Sequence, residues 1–151
     1  MFCKFFVFAP PVMQFLSPNH GPGSFWMLNP TMEMDFREKY LRKLAENCWT
    51  PPDGHCSEWR GAQTRGYGKI NVKYEGRWTT VTTHRLLFIL HNNLRLDDLA
   101  GLDVSHLCHN PPCASIDHLS AEEHSINNER QACRSRRRCF GHQTARDCLF
   151  F

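Results

Sequence analysis

The chain has no long apolar run. A membrane-spanning helix needs roughly 20 consecutive apolar residues, and the strongest runs here, Phe5–Ala9 and Leu86–Leu90, are far shorter. No membrane partner is therefore expected. Charge of one sign is also scarce: 18 Lys and Arg stand against 15 Asp and Glu, a formal net charge of +3. The small total hides a local asymmetry of basic residues. The first eleven residues resemble a short signal sequence, but Pro10 and Pro11 break the run and no clear small-residue cleavage site follows. Residues 1–34 show no periodicity, so they read as a disordered or non-domain segment. The stretch 133–148 has little apolar content and needs something other than a core to order it.

What the chain does have is cysteine and histidine, eight and nine of them in 151 residues. Between Val104 and Cys148 they fall into two groups. The first is Cys108-x4-Cys113-x4-His118; the second is Cys133-x5-Cys139-x2-His142-x5-Cys148. Four secreted disulfides are the alternative, yet that framework has no use for histidines inside the cysteine spacings. A chain of this length also needs no covalent staples merely to fold. Thiolate and imidazole in fours favour tetrahedral, structural zinc, and a reducing, intracellular setting, the nucleus if the source is eukaryotic. The second group is complete. The first lacks one ligand.

The remaining pattern predicts an α+β domain over 35–148. Asp35 opens a helix, with Glu38 completing the cap and Phe36, Tyr40, Leu41 and Leu44 forming its apolar stripe. Tyr67–Tyr74 and Arg77–Thr82 alternate around Glu75-Gly76, which is a β-hairpin. Lys69, Asn71 and Lys73 share one face of its first strand and Ile70, Val72 and Tyr74 the other. Charge is uneven here: Arg60, Arg65, Lys69, Lys73, Arg77 and Arg85 meet only Glu58 and Glu75. A basic two-stranded ribbon suits the major groove of duplex DNA, with Arg65, Lys69, Lys73 and Arg77 as the DNA-facing set. Arg134, Arg136, Arg137 and Arg138 form a second basic knot. Thr83 to Asn92 is a buried helix. A strand over 104–107, a zinc-held loop, a strand over 118–120 and a helix begun by the Ser120/Glu123 capping box complete the order.

Ser105-His106-Leu-Cys108-His-Asn-Pro-Pro-Cys113, Asp117-His118-Leu119, Asn127 and the second ligand group together resemble the His-Cys box homing endonucleases, a branch of the His-Me finger (ββα-metal, HNH-like) nucleases. Cys56-x2-Trp59-x-Gly61, Gly66-Tyr-Gly68 and Thr83-His84-Arg85-Leu86 extend the likeness upstream, so it covers about 56–148. The resemblance implies a ββα-metal motif over 104–132 behind a DNA-binding hairpin over 56–82. It makes Cys56 the missing ligand, with Cys48 as its rival, His106 the general base, Asn127 the ligand of one catalytic Mg²⁺ and Arg77 an arginine on the scissile phosphate. Ser115-Ile116 departs from the family's usual Asn-Pro. A homodimer is a family option, but the C-terminal extension that holds it in some members is missing after Cys148, leaving monomer and dimer both open.

The implied activity is metal-dependent hydrolysis of DNA phosphodiesters. A non-catalytic, zinc-stabilised DNA-binding module derived from such an enzyme is the alternative. It would need neither His106 nor Asn127.

Overall fold

The computed structural model describes residues 30–52 and 54–150, with side chains from Asp35 onward. The expected disorder of residues 1–34 thus falls largely outside the described residues. Helix α1 spans Pro30–Glu46, strand β1 Cys48–Trp49, β2 Glu58–Trp59, β3 Gln63–Thr64, β4 Tyr67–Tyr74 and β5 Arg77–Thr82. Then come α2 (Thr83–His91), β6 (Leu102–His106), a 3-10 turn (Ile116–His118), β7 (Leu119–Glu123) and α3 (His124–Arg136). The strands make three small antiparallel sheets, β1-β2, β3-β4-β5 and β6-β7. The α+β class is as expected. No described helix is long and apolar enough to cross a membrane.

Helix α1 begins earlier than the Asp35 expected from the cap pattern, at Pro30, a residue favoured at the first helical position. Its stripe behaves as its spacing implies: Tyr40 and Leu44 are buried, and Phe36 and Leu41 pack against the same core. Tyr40 also accepts a hydrogen bond at its hydroxyl from the Lys73 backbone nitrogen, 2.8 Å away. That contact pins the hairpin to the helix.

Two two-residue turns shape the β3-β4-β5 sheet. Arg65-Gly66 and Glu75-Gly76 both have positive φ at each residue, 52° and 83° in the first, 48° and 78° in the second. Turns of this kind match the right-handed twist of hairpin strands. The second turn sets the register: Tyr74 opposes Arg77, Lys73 opposes Trp78, Asn71 opposes Thr80 and Lys69 opposes Thr82. Ile70, Val72 and Val81 face a core completed by Leu86, Leu87, Ile89 and Leu90 of α2.

Trp59 sits at the centre of the upstream unit, 4% exposed, with its Nε1 donating to the Ala62 carbonyl at 3.0 Å. A Cβ on Gly68 would collide with Thr83 Oγ1 and come within 2.7 Å of the indole, and one on Gly61 would strike the same ring. Close packing on one tryptophan therefore dictates both glycines. The Trp59 nitrogen donates to the Pro112 carbonyl and the Ala114 nitrogen to the Ser57 carbonyl. Glu58 bridges Cys113. These bonds dock the segment carrying Cys56 onto the loop that carries Cys108 and Cys113.

The capping box expected at Ser120/Glu123 does not form. Ser120 is paired with Ser105 in the β6-β7 ladder, which runs on to Glu123. Glu123 caps α3 through an extended backbone, with no side-chain bond. A ladder of five pairs outweighs one local cap, and Glu122 is drawn inward at the same time by Arg130. Helix α3 runs past the expected boundary at residue 132 and ends at Arg136, with Arg137 in the left-handed region at φ 51°.

Candidate metal centres and active site

In the first cluster the ligand atoms of Cys56, Cys108, Cys113 and His118 all lie within 4.8 Å of one another. His118 Nδ1 is 3.6 Å from Cys56 Sγ and 3.5 Å from Cys113 Sγ. Zinc bonds of about 2.3 Å to sulfur and about 2.0 Å to nitrogen, at tetrahedral angles, give an S···N edge of roughly 3.5 Å. The cluster has the size of that tetrahedron. Cys48 lies outside it, in the β1-β2 pairing and packed against the core.

Cys133, Cys139, His142 and Cys148 form a second cluster of the same dimensions. His142 Nε2 lies 3.8 Å from Cys133 Sγ and 3.4 Å from Cys148 Sγ. Its other ring nitrogen, Nδ1, donates to Glu129 Oε2 at 3.2 Å. A carboxylate there fixes the tautomer and leaves Nε2 as the lone-pair donor, the usual arrangement behind a zinc-bound histidine.

The thiols explain why a cation belongs among them. A hydrogen bond from Cys108 holds the Cys113 thiol well below its ordinary value, while that same bond and burial push Cys108 up. Burial likewise raises Cys56 and Cys148. Thiolates this close repel one another. A divalent cation at the centre removes the conflict, so both donor sets fit zinc.

His106 closes strand β6 and is 9% exposed. Its Nε2 lies 3.0 Å from the Cys113 carbonyl oxygen. A carbonyl only accepts, so Nε2 carries the proton and Nδ1 keeps a lone pair. Burial lowers the pKa of His106, the Cys113 carbonyl and thiol opposing more weakly. The ring packs on His84, centroids 4.3 Å apart, and on Tyr67 at 5.9 Å. Burial, chiefly, and then the charges of His106, Arg85 and Lys69 depress His84 to about 3. Two neutral imidazoles can pack this closely, tilted 56° to one another, without charge repulsion. Nothing local in the sequence pairs residues 84 and 106; the contact follows from packing α2 against β6.

Asn127 lies in the second turn of α3 and donates its Nδ2 to Asp103 Oδ2 at 2.9 Å. His124 Nδ1 reaches the same oxygen at 2.8 Å. Bonds from Asn127, then His124, hold the Asp103 carboxyl below the usual carboxylate range. Asp103 carried no signal in the sequence beyond lying three residues before His106. His109 packs on Phe150, centroids 5.0 Å apart, and is not among the ligands of either cluster.

Residues 47–148 match the family model of the zinc-binding loop region of homing endonuclease. The chain belongs to that family. No curated protein and no solved structure matches the chain. The homing-endonuclease match spans β1 through Cys148, and so takes in both clusters, the hairpin and the β6-β7-α3 unit.

The hairpin does not carry all the basic residues on one face. Lys69, Asn71 and Lys73 share their side with Thr82, Thr80 and Trp78 of β5, and Trp78 is 70% exposed. Arg77 opposes Tyr74 and so falls on the other side, that of Val72 and Ile70. It also stands at the turn, five residues from Thr82, about 17 Å along a strand. The strand end nearest His106 is the one bearing Tyr67 and Lys69. Arg77 is thus brought neither to the lysine face nor to His106, because a two-residue turn puts residues 74 and 77 opposite each other. Arg65 is exposed at the β3-β4 turn.

Proposed function

We propose that the protein is a metal-dependent DNA endonuclease that hydrolyses phosphodiester bonds, with His106 as general base. The observation that carries this reading is the His106–Cys113 hydrogen bond: it fixes the Nε2–H tautomer and leaves Nδ1 as a proton acceptor. Burial keeps that imidazole neutral, the state that can take a proton from water. Asn127 would hold one Mg²⁺ through its side-chain oxygen, since the nitrogen is committed to Asp103. A hard divalent cation there supplies stabilisation of the charge that develops on the phosphate and leaving oxygen.

The chain's other residues bind and orient. Lys69 and Lys73 engage backbone phosphates from the exposed face of the ribbon, while Asn71 and Trp78 face the groove. Both zincs would be structural, all four positions of each being taken by protein ligands. Of the two ribbon cations Lys69 and Arg77, Lys69 is at the strand end near His106, which favours it for contact with the reacting phosphate.

The test is incubation of the zinc-loaded protein with supercoiled plasmid and Mg²⁺, with and without a chelator added at the start. Nicked or linear product that needs Mg²⁺ and disappears in His106→Ala supports the reading. DNA binding with both zincs present and no cleavage would leave the non-catalytic binding module in its place.

A further inference from the structure

We infer that Asp103 is a positioning residue for the divalent cation: it holds the side-chain nitrogen of Asn127 so that the amide oxygen, and not the nitrogen, is offered to the ion. The inference rests on the nuclease reading of Asn127. A primary amide has two ends of nearly the same shape, and only the oxygen binds a hard cation. In the structure Nδ2 lies 2.9 Å from Asp103 Oδ2. An ionised carboxylate accepts and cannot donate, so a flipped amide would set oxygen against oxygen. The Asn127 oxygen makes no protein hydrogen bond among the described residues, and the flip is what Asp103 forbids.

A purely structural role for Asp103 also exists. His124 Nδ1 bonds the same oxygen at 2.8 Å, and α3 has neither an acidic residue in its first turn nor a side-chain cap. A carboxylate on the neighbouring strand stabilises such a helix start. The two roles separate cleanly, because His124 shares the structural one and has no part in orienting the amide.

The experiment titrates Mn²⁺ into zinc-loaded protein bound to a DNA duplex, reads free Mn²⁺ by electron paramagnetic resonance, and subtracts the duplex alone. Asp103→Ala is expected to weaken Mn²⁺ binding by about tenfold or more, the usual effect of removing a residue that orients a metal ligand. Asp103→Asn, whose amide can donate as well as accept and so permits the flip, should fall between the parent and Asp103→Ala, and His124→Ala should be unchanged. Adding Asn127→Asp to Asp103→Ala should recover binding, since a carboxylate has two equivalent oxygens and needs no orienting. If Asp103→Ala loses zinc, Asp103→Ser, whose hydroxyl is too short to reach Asn127, takes its place. Parent-like Mn²⁺ affinity in the Asp103 variant, or an equal loss in His124→Ala, overturns the inference. Parent-like affinity in Asn127→Ala overturns instead the metal-ligand reading on which it rests.

Discussion

Arg130 grips Glu122 through two hydrogen bonds of 2.7 Å, and both side chains are almost sealed from solvent, 1% and 2% exposed. The same guanidinium lies 3.5 Å from Cys148 Sγ and donates to the Arg146 carbonyl at 2.7 Å. One residue of α3 thus ties β7 to the second metal cluster. Removing one partner leaves the other charged and buried, which costs about 3–5 kcal/mol. Arg130→Met is expected to destabilise by that much in urea unfolding at saturating zinc. The double variant Arg130→Met/Glu122→Leu, with no buried charge left, should recover much of the loss.

Zinc content gives the plainest check of the clusters. Mass spectrometry of the folded protein is expected to find two zinc ions per chain. Cys56→Ser and Cys139→Ser should each lose one, and Cys48→Ser should keep both. A stoichiometry of one in well-folded parent protein would refute the assignment.

His106→Ala is expected to retain both zincs and DNA affinity while its nicking rate falls by about 10²–10⁴, the worth of a positioned general base. The pH profile follows from the direction of its shift. The neutral form acts, and burial places the pKa below 6.5. The parent rate should therefore hold at neutral pH and decline only at a pH lower than one that would titrate a free imidazole.

Lys69→Ala and Lys73→Ala should each flatten the salt dependence of DNA binding by about one unit of slope, one phosphate contact apiece. Arg77→Ala, on the opposite side of the ribbon, should change that slope less than either. Equal slopes for all three would mean the DNA does not lie on the lysine face.

Acid should loosen the domain through His84. In the unfolded chain this group titrates near 6.5, and in the folded one at about 3. Between those values the unfolded state binds the extra proton, so stability is full above about 6.5 and is lost as pH falls. His84→Phe should flatten that part of the stability curve when zinc is kept saturating.

Seven of the eight ligands were legible because cysteine and histidine spacing is a local property, written over short loops; Cys56, 52 residues before Cys108, came only with the family resemblance. The hairpin was legible for the same reason, through alternation and a Glu-Gly turn. The face of Arg77 was a matter of parity across that turn, which grouping residues by charge passed over. The helix start at Asn127's element was misplaced because a cap pattern is weaker than a strand ladder built from residues 15 positions away, Ser105 and Ser120. Asp103 gave no signal, and His84 stood in a family-like motif without a role: each matters through a partner more than twenty residues distant.

The two clusters close chain segments of very different length. Cys56 and His118 are 62 residues apart, whereas Cys133 and Cys148 are separated by 15. Loop-closure entropy grows as the logarithm of length, so the longer closure costs about 1 kcal/mol more in the unfolded chain. It also waits for the hairpin and α2, which lie inside it, and such non-local contacts form late. In refolding of the whole chain with zinc present, the short C-terminal closure is therefore expected to form ahead of the long one, which locks only once the β4-β5 ribbon is in place.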